Sequence, residues 1–108
     1  MEYREANVDN RILDNTYMKV VWRHSCVEDP VVLWSEISAD RFEVRKVDLY
    51  SDGRLDYAGD NVSTGITMLG TDVVPALSEI GADPEFEPAS VDKIEFEAIW
   101  NAAVRSFR

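Results

Sequence analysis

His24 and Cys26 are the residues whose types and spacing come nearest to a nucleophile and its base. They are the single histidine and the single cysteine of the chain. An imidazole activates a thiol only within hydrogen-bond reach and when a third group orients it. One His and one Cys also fall short of the four ligands of a structural zinc site. We therefore interpret the pair as a histidine at a strand end beside a half-buried loop cysteine.

Three other patterns that could carry chemistry are absent from the chain or are not specific in it. Carboxylates are abundant, but no spacing singles out an acid and a base. Asp52-Gly53 lacks the alternating Asp/Asn ligands and the terminal Glu of a calcium loop. Gly65 and Gly70 bracket no phosphate-binding fingerprint. We expect no catalytic residue, no cofactor and no metal, and therefore a protein that is not an enzyme.

Arg41, Arg45 and Lys46 form the one local basic cluster of the chain. In a regular strand Glu43 and Arg45 would share a face, and we expect solvated salt bridges across strands to Glu36 or Asp56. The alternative is a small anionic-ligand-binding or enzymatic domain. Its site would be built on four residues: Arg41, Arg45, Trp22 and His24.

The charge of the chain points away from nucleic acid. It has 21 acidic and 11 basic residues, a net charge of −10, whereas binding to nucleic acid needs cations that displace counterions. An anionic membrane surface is disfavoured for the same reason. Residues 1–50 carry 10 acids and 7 bases, and residues 51–108 carry 11 acids and 4 bases. Solubility is one explanation of this excess, and a basic protein partner is the other.

The 108 residues are enough for one domain with a modest core. The N-terminus is polar and acidic, so it does not resemble a secretory signal, and no apolar run approaches the roughly 20 residues of a membrane span. A single cysteine fits a reducing compartment. We therefore expect a cytoplasmic protein, with residues 1–16 as an N-terminal arm and residues 17–108 as a single α+β domain.

The segment at residues 41–58 predicts a β-hairpin. Its turn, Ser51-Asp52-Gly53-Arg54, contains Asp-Gly, which favours a type I′ turn with positive φ at both central residues. In the first strand, Phe42 and Val44 occupy even positions, whereas Val47 and Leu49 occupy odd ones. In a regular strand these two pairs of side chains would lie on opposite faces. This change predicts a β-bulge near Arg45-Lys46.

Residues 17–24 and 31–37 predict two further strands, the first with Met18, Val20 and Trp22 on a core face. Residues 66–69 are a candidate fifth strand, and residues 82–90 are interpreted as a loop with a short extended piece at Phe86. Pro75 suits the first position of a short helix, and Gly81 suits its end.

The C-terminal helix has the clearest signals. Asp92 is the predicted N-cap, with Glu95 three residues later and a staple between Val91 and Phe96. An apolar stripe follows at helical spacing: Phe96, Ile99, Trp100, Ala103, Val104 and Phe107. The predicted fold class is α+β, an antiparallel β-sheet of about four to six strands with this amphipathic helix packed on one face.

Several strings of the chain carry a family resemblance: WRH, LWSEI, RFEVRKVDLYSDGRLDYA, ADPEFEP and FEAIW. The chain resembles a family of small bacterial domains of unknown function, from about residue 17 to residue 100. The resemblance implies a coherent domain of bacterial type. It implies no activity and no site residue.

These observations lead to a functional hypothesis. A small acidic domain without a catalytic set suits a bacterial immunity-type inhibitor, which would neutralise a toxin such as a nuclease by occluding its basic active site. Trp34 faces outward if Leu33 is buried, which would make it an apolar anchor; the other interpretation places it in the core. The expected partner-binding residues are Trp34, Asp56, Asp60, Glu79 and Glu85. The sequence leaves the oligomeric state open.

Overall fold

The computed structural model describes residues 15–107. Within this range the elements are β1 (Thr16–Trp22), β2 (Val32–Ile37), β3 (Glu43–Leu49), β4 (Leu55–Gly59), β5 (Val62–Ser63), α1 (Leu77–Ile80), β6 (Phe86–Val91) and α2 (Lys93–Phe107). The six strands form one sheet in the order β5-β4-β3-β2-β1-β6, and every neighbouring pair is antiparallel.

Helix α2 covers one face of the sheet, which we call the helix face. The carboxylate of Asp92 accepts the backbone N–H of Glu95 at 2.8 Å, so the predicted N-cap is confirmed. The buried stripe of α2 packs on side chains that share this face, because alternate strand residues point the same way. The cluster contains Tyr17, Trp34, Val47, Tyr57, Phe96, Trp100 and Ala103. The predicted α+β fold with its C-terminal helix is confirmed.

Residues 64–76, which we call the strap, cross the opposite face, which we call the strap face. Thr67 Oγ1 donates to Asp48 Oδ2 at 2.8 Å, and the Gly70 N–H donates to Glu43 Oε1 at 2.9 Å. A second apolar cluster lies beyond these contacts: Met18, Val20 and Ile37, with Val74, Ile80 and Phe86 against it. The central strands are therefore covered on both faces, which explains why four consecutive residues of β2, 34–37, are all buried.

The predicted hairpin joins β3 and β4, but its turn is not of type I′. The Gly53 N–H donates to the Tyr50 C=O at 2.9 Å, and Gly53 has φ +91° whereas Asp52 is not in the positive region. The loop therefore has three residues, with the glycine in the left-handed position that follows a tight turn. Asp52 instead accepts the Arg54 N–H at 3.0 Å.

The predicted irregularity in β3 is present, one residue earlier than expected. Glu36 lies opposite Arg45, but Ile37 lies opposite Glu43, so Val44 is the extra residue of a bulge. The bulge directs Arg45 to the helix face and Glu43 to the strap face. The expectation that Glu43 and Arg45 share a face is therefore wrong.

Two expectations between residues 59 and 91 are corrected. Residues 66–69 form no strand, and Ile66 and Met68 are 81% and 66% exposed. The fifth strand is instead Val62–Ser63. The segment interpreted as a loop holds most of β6, where Pro88 is tolerated because the strand lies at the sheet edge.

The short helix is present with a shifted start. Its N-cap is Ala76, so Pro75 precedes the helix instead of opening it, while Gly81 forms the C-cap as predicted. The first strand ends at Trp22, two residues before the predicted end. Residues 1–14 of the expected N-terminal arm lie outside the described residues.

Candidate protein-binding site

The imidazole of His24 is held by the backbone on both sides. Its Nδ1 accepts the Cys26 N–H at 3.0 Å, so Nε2 carries the proton and donates to the Pro30 C=O at 2.8 Å. With both nitrogens engaged, His24 has no free lone pair with which to deprotonate the exposed thiol of Cys26. The ring holds the β1–β2 connection in place. Cys26 is exposed, so the expectation of a half-buried cysteine is wrong, and His24 lies two residues beyond the end of β1.

Arg45 lies beneath α2 in a partly buried ion network. Its Nε donates to Glu36 Oε1 and its Nη2 to Glu97 Oε2, each at 2.5 Å. Its guanidinium carbon lies 4.9 Å from the ring centroids of Phe96 and Trp100. Burial alone would lower the pKa of Arg45, but the hydrogen bonds to Glu97 and Glu36 outweigh it and raise that pKa. Arg45 therefore docks α2 on the sheet.

Glu36 is shared among several donors in this network. Asn15 Nδ2 donates to Glu36 Oε2 at 3.0 Å and the Tyr17 hydroxyl donates to the same oxygen at 3.3 Å. Burial, and then the charge of Glu36, raise the pKa of Tyr17. The predicted cross-strand pair between Arg45 and Glu36 is thus confirmed, but it is buried and not solvated, because α2 covers it.

Of the four residues of the anionic-ligand alternative, the structure brings together only Trp22 and His24, whose ring centroids are 4.4 Å apart. Arg45 is neutralised by two carboxylates on the helix face. Arg41 donates to the C=O groups of Val74 and Pro75 at 3.2 and 2.9 Å, so it anchors the strap. Trp22 lies on the strap face against Phe86, with ring centroids 5.7 Å apart. The geometry offers these groups no common anion pocket.

A polar cluster lies under the strap on β3 and β4. Asp48 lies directly opposite Asp56, and they are 4% and 7% exposed. Thr64 Oγ1 donates to Asp56 Oδ1 at 2.9 Å, but Asp48 Oδ1 is a buried oxygen with no hydrogen-bond partner within residues 15–107. Burial is the main cause that raises the pKa of Asp48. Lys46 Nζ is 3.9 Å from this oxygen.

An apolar groove of about 440 Å³ opens on the strap face at the β6 end of the sheet. Its floor is formed by β1 and β2, and its walls by α1 and β6. The apolar lining residues are Met18, Val20, Trp22, Leu33, Pro75, Ile80 and Phe86. The volume is enough for one large apolar side chain and is within the range of small binding sites.

The rim of this groove is acidic. The charged residues that line it are Glu79 and Asp83, and both are exposed. Glu85 is adjacent, because its Oε1 accepts the indole N–H of Trp22 at 3.2 Å. The nearby cation Arg23 already pairs with Glu87. A cationic group that approaches the groove therefore meets three carboxylates.

The outer edge of β6 is protected against strand addition. The Arg23 N–H donates to the Glu85 C=O, and alternation along an antiparallel pair then directs the backbone groups of Phe86, Pro88 and Ser90 away from β1. The Phe86 N–H donates to the Asp83 C=O at 3.0 Å, and proline has no N–H. This edge therefore offers few backbone donors to an added strand, which favours side-chain contacts in the groove for a partner at this end.

The structure separates the five residues expected to bind a partner. Trp34 is 7% exposed and its indole donates to Glu95 Oε2 at 3.3 Å, so the core interpretation holds for Trp34 and it presents no anchor. Asp56 is likewise buried under the strap, which removes it from the surface. Asp60 is exposed in the β4–β5 turn, at the other end of the sheet. Only Glu79 and Glu85 meet at one site.

The sequence analysis does not identify two parts of this site, the apolar residues of the groove floor and Asp83 at its rim. The alternation of Met18, Val20 and Trp22 was visible and suggested a core face. It could not show that this face is only partly covered, because coverage depends on where the strap and α1 dock. Asp83 lies in the segment that the sequence predicts to be a loop, where nothing distinguishes it from the other acidic residues.

Within residues 15–107, no group of three or more His, Cys, Asp or Glu side chains is placed to hold a metal ion. No helix in that part of the chain combines the length and apolar character needed to cross a membrane.

Comparisons with known proteins agree with the family resemblance. Searches of the curated proteins and of the solved structures gave no match. A family model described as "Domain of unknown function (DUF6881)" matches residues 16–105. That span begins at the first residue of β1 and ends within α2, so it includes the whole sheet. The chain belongs to this family of domains of unknown function.

Proposed function

We propose that this chain is a non-catalytic protein-binding domain that inhibits a basic protein. The observation that carries the proposal is the apolar groove with Glu79 and Asp83 at its rim. A pocket of this kind favours a partner with one bulky apolar side chain flanked by lysine or arginine. Burial of such an anchor supplies affinity, while the surrounding carboxylates supply orientation and rate of encounter.

The net charge of −10 supports the same kind of partner. A strongly acidic protein is steered towards a cationic surface over distances of about a Debye length, which is about 8 Å at physiological ionic strength. Enzymes that cleave nucleic acid carry cationic surfaces because their substrate is a polyanion. An acidic domain that covers such a surface excludes the substrate without any chemistry of its own.

The specific form of the proposal is a bacterial immunity protein that acts in the cytoplasm. It would bind a toxin domain, a nuclease being the best fit to the charge, and occlude its active site. The exposed, unpaired Cys26 fits a reducing compartment. Glu79, Asp83 and Glu85 would face the cationic residues of the toxin, and Trp22 and Phe86 would contact its apolar anchor.

Co-expression tests the proposal directly. The chain is produced together with the protein encoded beside its gene, and the pair is purified through a tag on one member. We expect a stoichiometric complex, loss of toxicity in cells, and loss of nuclease activity in the purified complex. Absence of a complex with any toxin domain encoded beside the gene would reject the immunity function.

Paired substitutions test the groove. Glu79→Gln with Asp83→Asn removes two charges but keeps the acceptor oxygens that bond the Ala76 and Glu85 N–H groups. We expect association to slow by about tenfold or more at low salt. Asp52→Asn with Asp60→Asn is the matched control, since it removes two exposed carboxylates from the opposite end of the sheet. Equal effects of the two pairs would show that only net charge matters and would exclude the groove.

A further inference from the structure

The first half of the strap turns its polar side chains towards the sheet. Thr64 and Thr67 are 3% and 5% exposed, and their hydroxyls donate to the buried carboxylates of Asp56 and Asp48. A segment that crosses a sheet face usually buries its apolar side chains, because burial removes them from water. Here polar groups hold the segment on the sheet.

The apolar side chains of the strap are left in solvent. Ile66 and Met68 are 81% and 66% exposed, and Val73, further along the strap, is 55% exposed. The two apolar clusters of the described residues are formed by other side chains. These three residues therefore add little to the stability of the fold, whereas exposed apolar side chains grouped on one segment are typical of an interaction surface.

The surroundings of these side chains are acidic. Residues 55–92 contain eight acidic residues and no lysine, arginine or histidine, and this range includes the strap, α1 and the edge strand β6. Two cations of the sheet are already engaged, since Arg41 donates to two C=O groups of the strap and Lys46 lies 3.9 Å from Asp48. Such a surface attracts a cationic partner and repels a second copy of this chain, whose net charge is also −10.

The strap adjoins the groove. Pro75, at the end of the strap, is one of the residues that line the groove, while Ile66 follows Gly65, which lies over Asp56 of β4. Strand β4 is three strands away from β1 on the groove floor. Since neighbouring strands are about 4.8 Å apart, this separation is about 14 Å.

The size of a usual interface requires contacts outside the groove. A stable complex buries about 800 Å² on each partner, whereas one large aromatic side chain buries about 150–250 Å². A partner anchored in the groove therefore makes most of its contacts elsewhere, and the strap is within its reach.

We propose that the outer surface of the strap, formed by Ile66, Met68 and Val73, is a second contact surface for the same basic partner. The inference rests on the proposed function, from which it takes that partner. The partner then needs a broad basic surface on which apolar side chains lie between lysine or arginine residues. The apolar contacts at the strap supply affinity, and the acids around them disfavour partners of like charge.

A matched pair of isoleucine variants tests the proposal. The probe is the toxin domain recovered from the co-expressed complex, and the dissociation constant is measured by calorimetry. Ile66→Ser should raise this constant by about tenfold or more, because an apolar contact is lost while the charge is unchanged. Ile94→Ser is the control, since Ile94 is 79% exposed on α2, which covers the other face, and it should leave the constant unchanged. Both variants should keep the melting temperature of the wild type.

Oxidation of Met68 tests the same surface in the unaltered chain. Hydrogen peroxide converts an exposed methionine into its sulfoxide. We expect this conversion, followed by mass spectrometry of the peptide that contains Met68, to slow several-fold when the toxin domain is bound. In the chain alone its rate should not depend on protein concentration.

The outcomes separate this inference from the proposed function. A complex in which Met68 oxidises as fast as in the free chain, or which Ile66→Ser weakens no more than Ile94→Ser, overturns the inference and leaves the proposed function standing. Protection of Met68 that grows with the concentration of the chain alone would assign the surface to a second copy and would also overturn it. Absence of any complex with the wild-type chain rejects the proposed function, and the inference with it.

Discussion

Asp48 and Asp56 lie directly opposite each other on neighbouring strands, and both carboxylates are buried beneath the strap. Each accepts a threonine hydroxyl, from Thr67 and Thr64 respectively. The two oxygens of Asp48 differ, since Oδ2 is bonded and Oδ1 has no partner within the described residues. Burial of the Asp48 carboxyl raises its pKa and makes the stability of the fold depend on pH.

Protonation of the Asp48 carboxyl should stabilise the folded state at low pH. Burial raises its pKa in the folded chain above the value of 3.8 for an unperturbed side chain, so the folded state binds the proton more tightly. Its stabilising contribution is complete below pH 3.8 and is lost as the pH rises through the folded pKa. Asp48→Asn, which keeps an acceptor for Thr67, should therefore raise the free energy of unfolding at pH 7 by about 1 kcal/mol and give no gain at pH 3.5.

Urea unfolding of both proteins at several pH values measures this difference. Asp52→Asn is the control, because Asp52 is exposed in the hairpin turn. A constant difference between wild type and Asp48→Asn across the pH range would contradict the assigned role of the buried carboxyl.

Glu97 should have the opposite pH dependence. The hydrogen bond from Arg45 lowers the pKa of Glu97 below its ordinary value of 4.5. Its contribution is present above pH 4.5 and is lost as the pH falls through the folded pKa. Glu97→Gln should therefore lose stability relative to wild type at pH 7, and the difference should shrink towards pH 3. Thermal unfolding in matched buffers provides the measurement, and a difference that grows on acidification would refute it.

Arg45→Met should be the most damaging substitution of a charged residue. It leaves the buried Glu36 without its guanidinium partner, and breaking one side of a buried pair costs about 3–5 kcal/mol. Arg23→Met is the control, since the ion pair of Arg23 with Glu87 is exposed and such pairs contribute about 0–1 kcal/mol. The free energies of unfolding from guanidinium titrations should rank in this order. Similar losses for the two variants would show that the network does not dock α2.

Gly65→Ala should destabilise the strap attachment more than Gly53→Ala destabilises the hairpin. Both glycines have positive φ, +58° and +91°, which costs alanine about 1–2 kcal/mol. At Gly65 the added Cβ would also approach Asp56 Oδ2 to 2.5 Å, whereas at Gly53 it meets nothing within 4 Å. Far-ultraviolet circular dichroism during thermal unfolding should show the larger loss for Gly65→Ala. Equal losses would mean that the strap adjusts freely around Asp56.

Local patterns predicted much of the fold. The Asp92 cap and the apolar stripe of α2, the hairpin at Gly53 and the change of parity in β3 are encoded within a few residues, and each was found in the structure. Strand β6 was missed because Pro84 precedes it and Pro88 lies within it, and both prolines signal a loop. Its pairing with β1 joins segments about 70 residues apart in the chain, which no local pattern reports.

The candidate site was predicted only in part. Glu79 and Glu85 were chosen for their charge, and the structure brings them to one groove. Asp56 is predicted for the same reason and Trp34 as an apolar anchor, but the structure buries both, because α2 covers one face and the strap covers the other. Composition shows that acids are in excess but not which of them remain at the surface.

The sequence by itself determined the acidic charge, the α+β class, the hairpin and the capped C-terminal helix, because these depend on residue type and on spacing within one element. The tertiary structure alone decided which face α2 covers and where the strap leaves a groove. Those features depend on packing between segments distant in the chain. The bulge at Val44 depends on both. The spacing of apolar residues in β3 predicts an irregularity there, but only the fold shows that the bulge places Arg45 between Glu36 and Glu97.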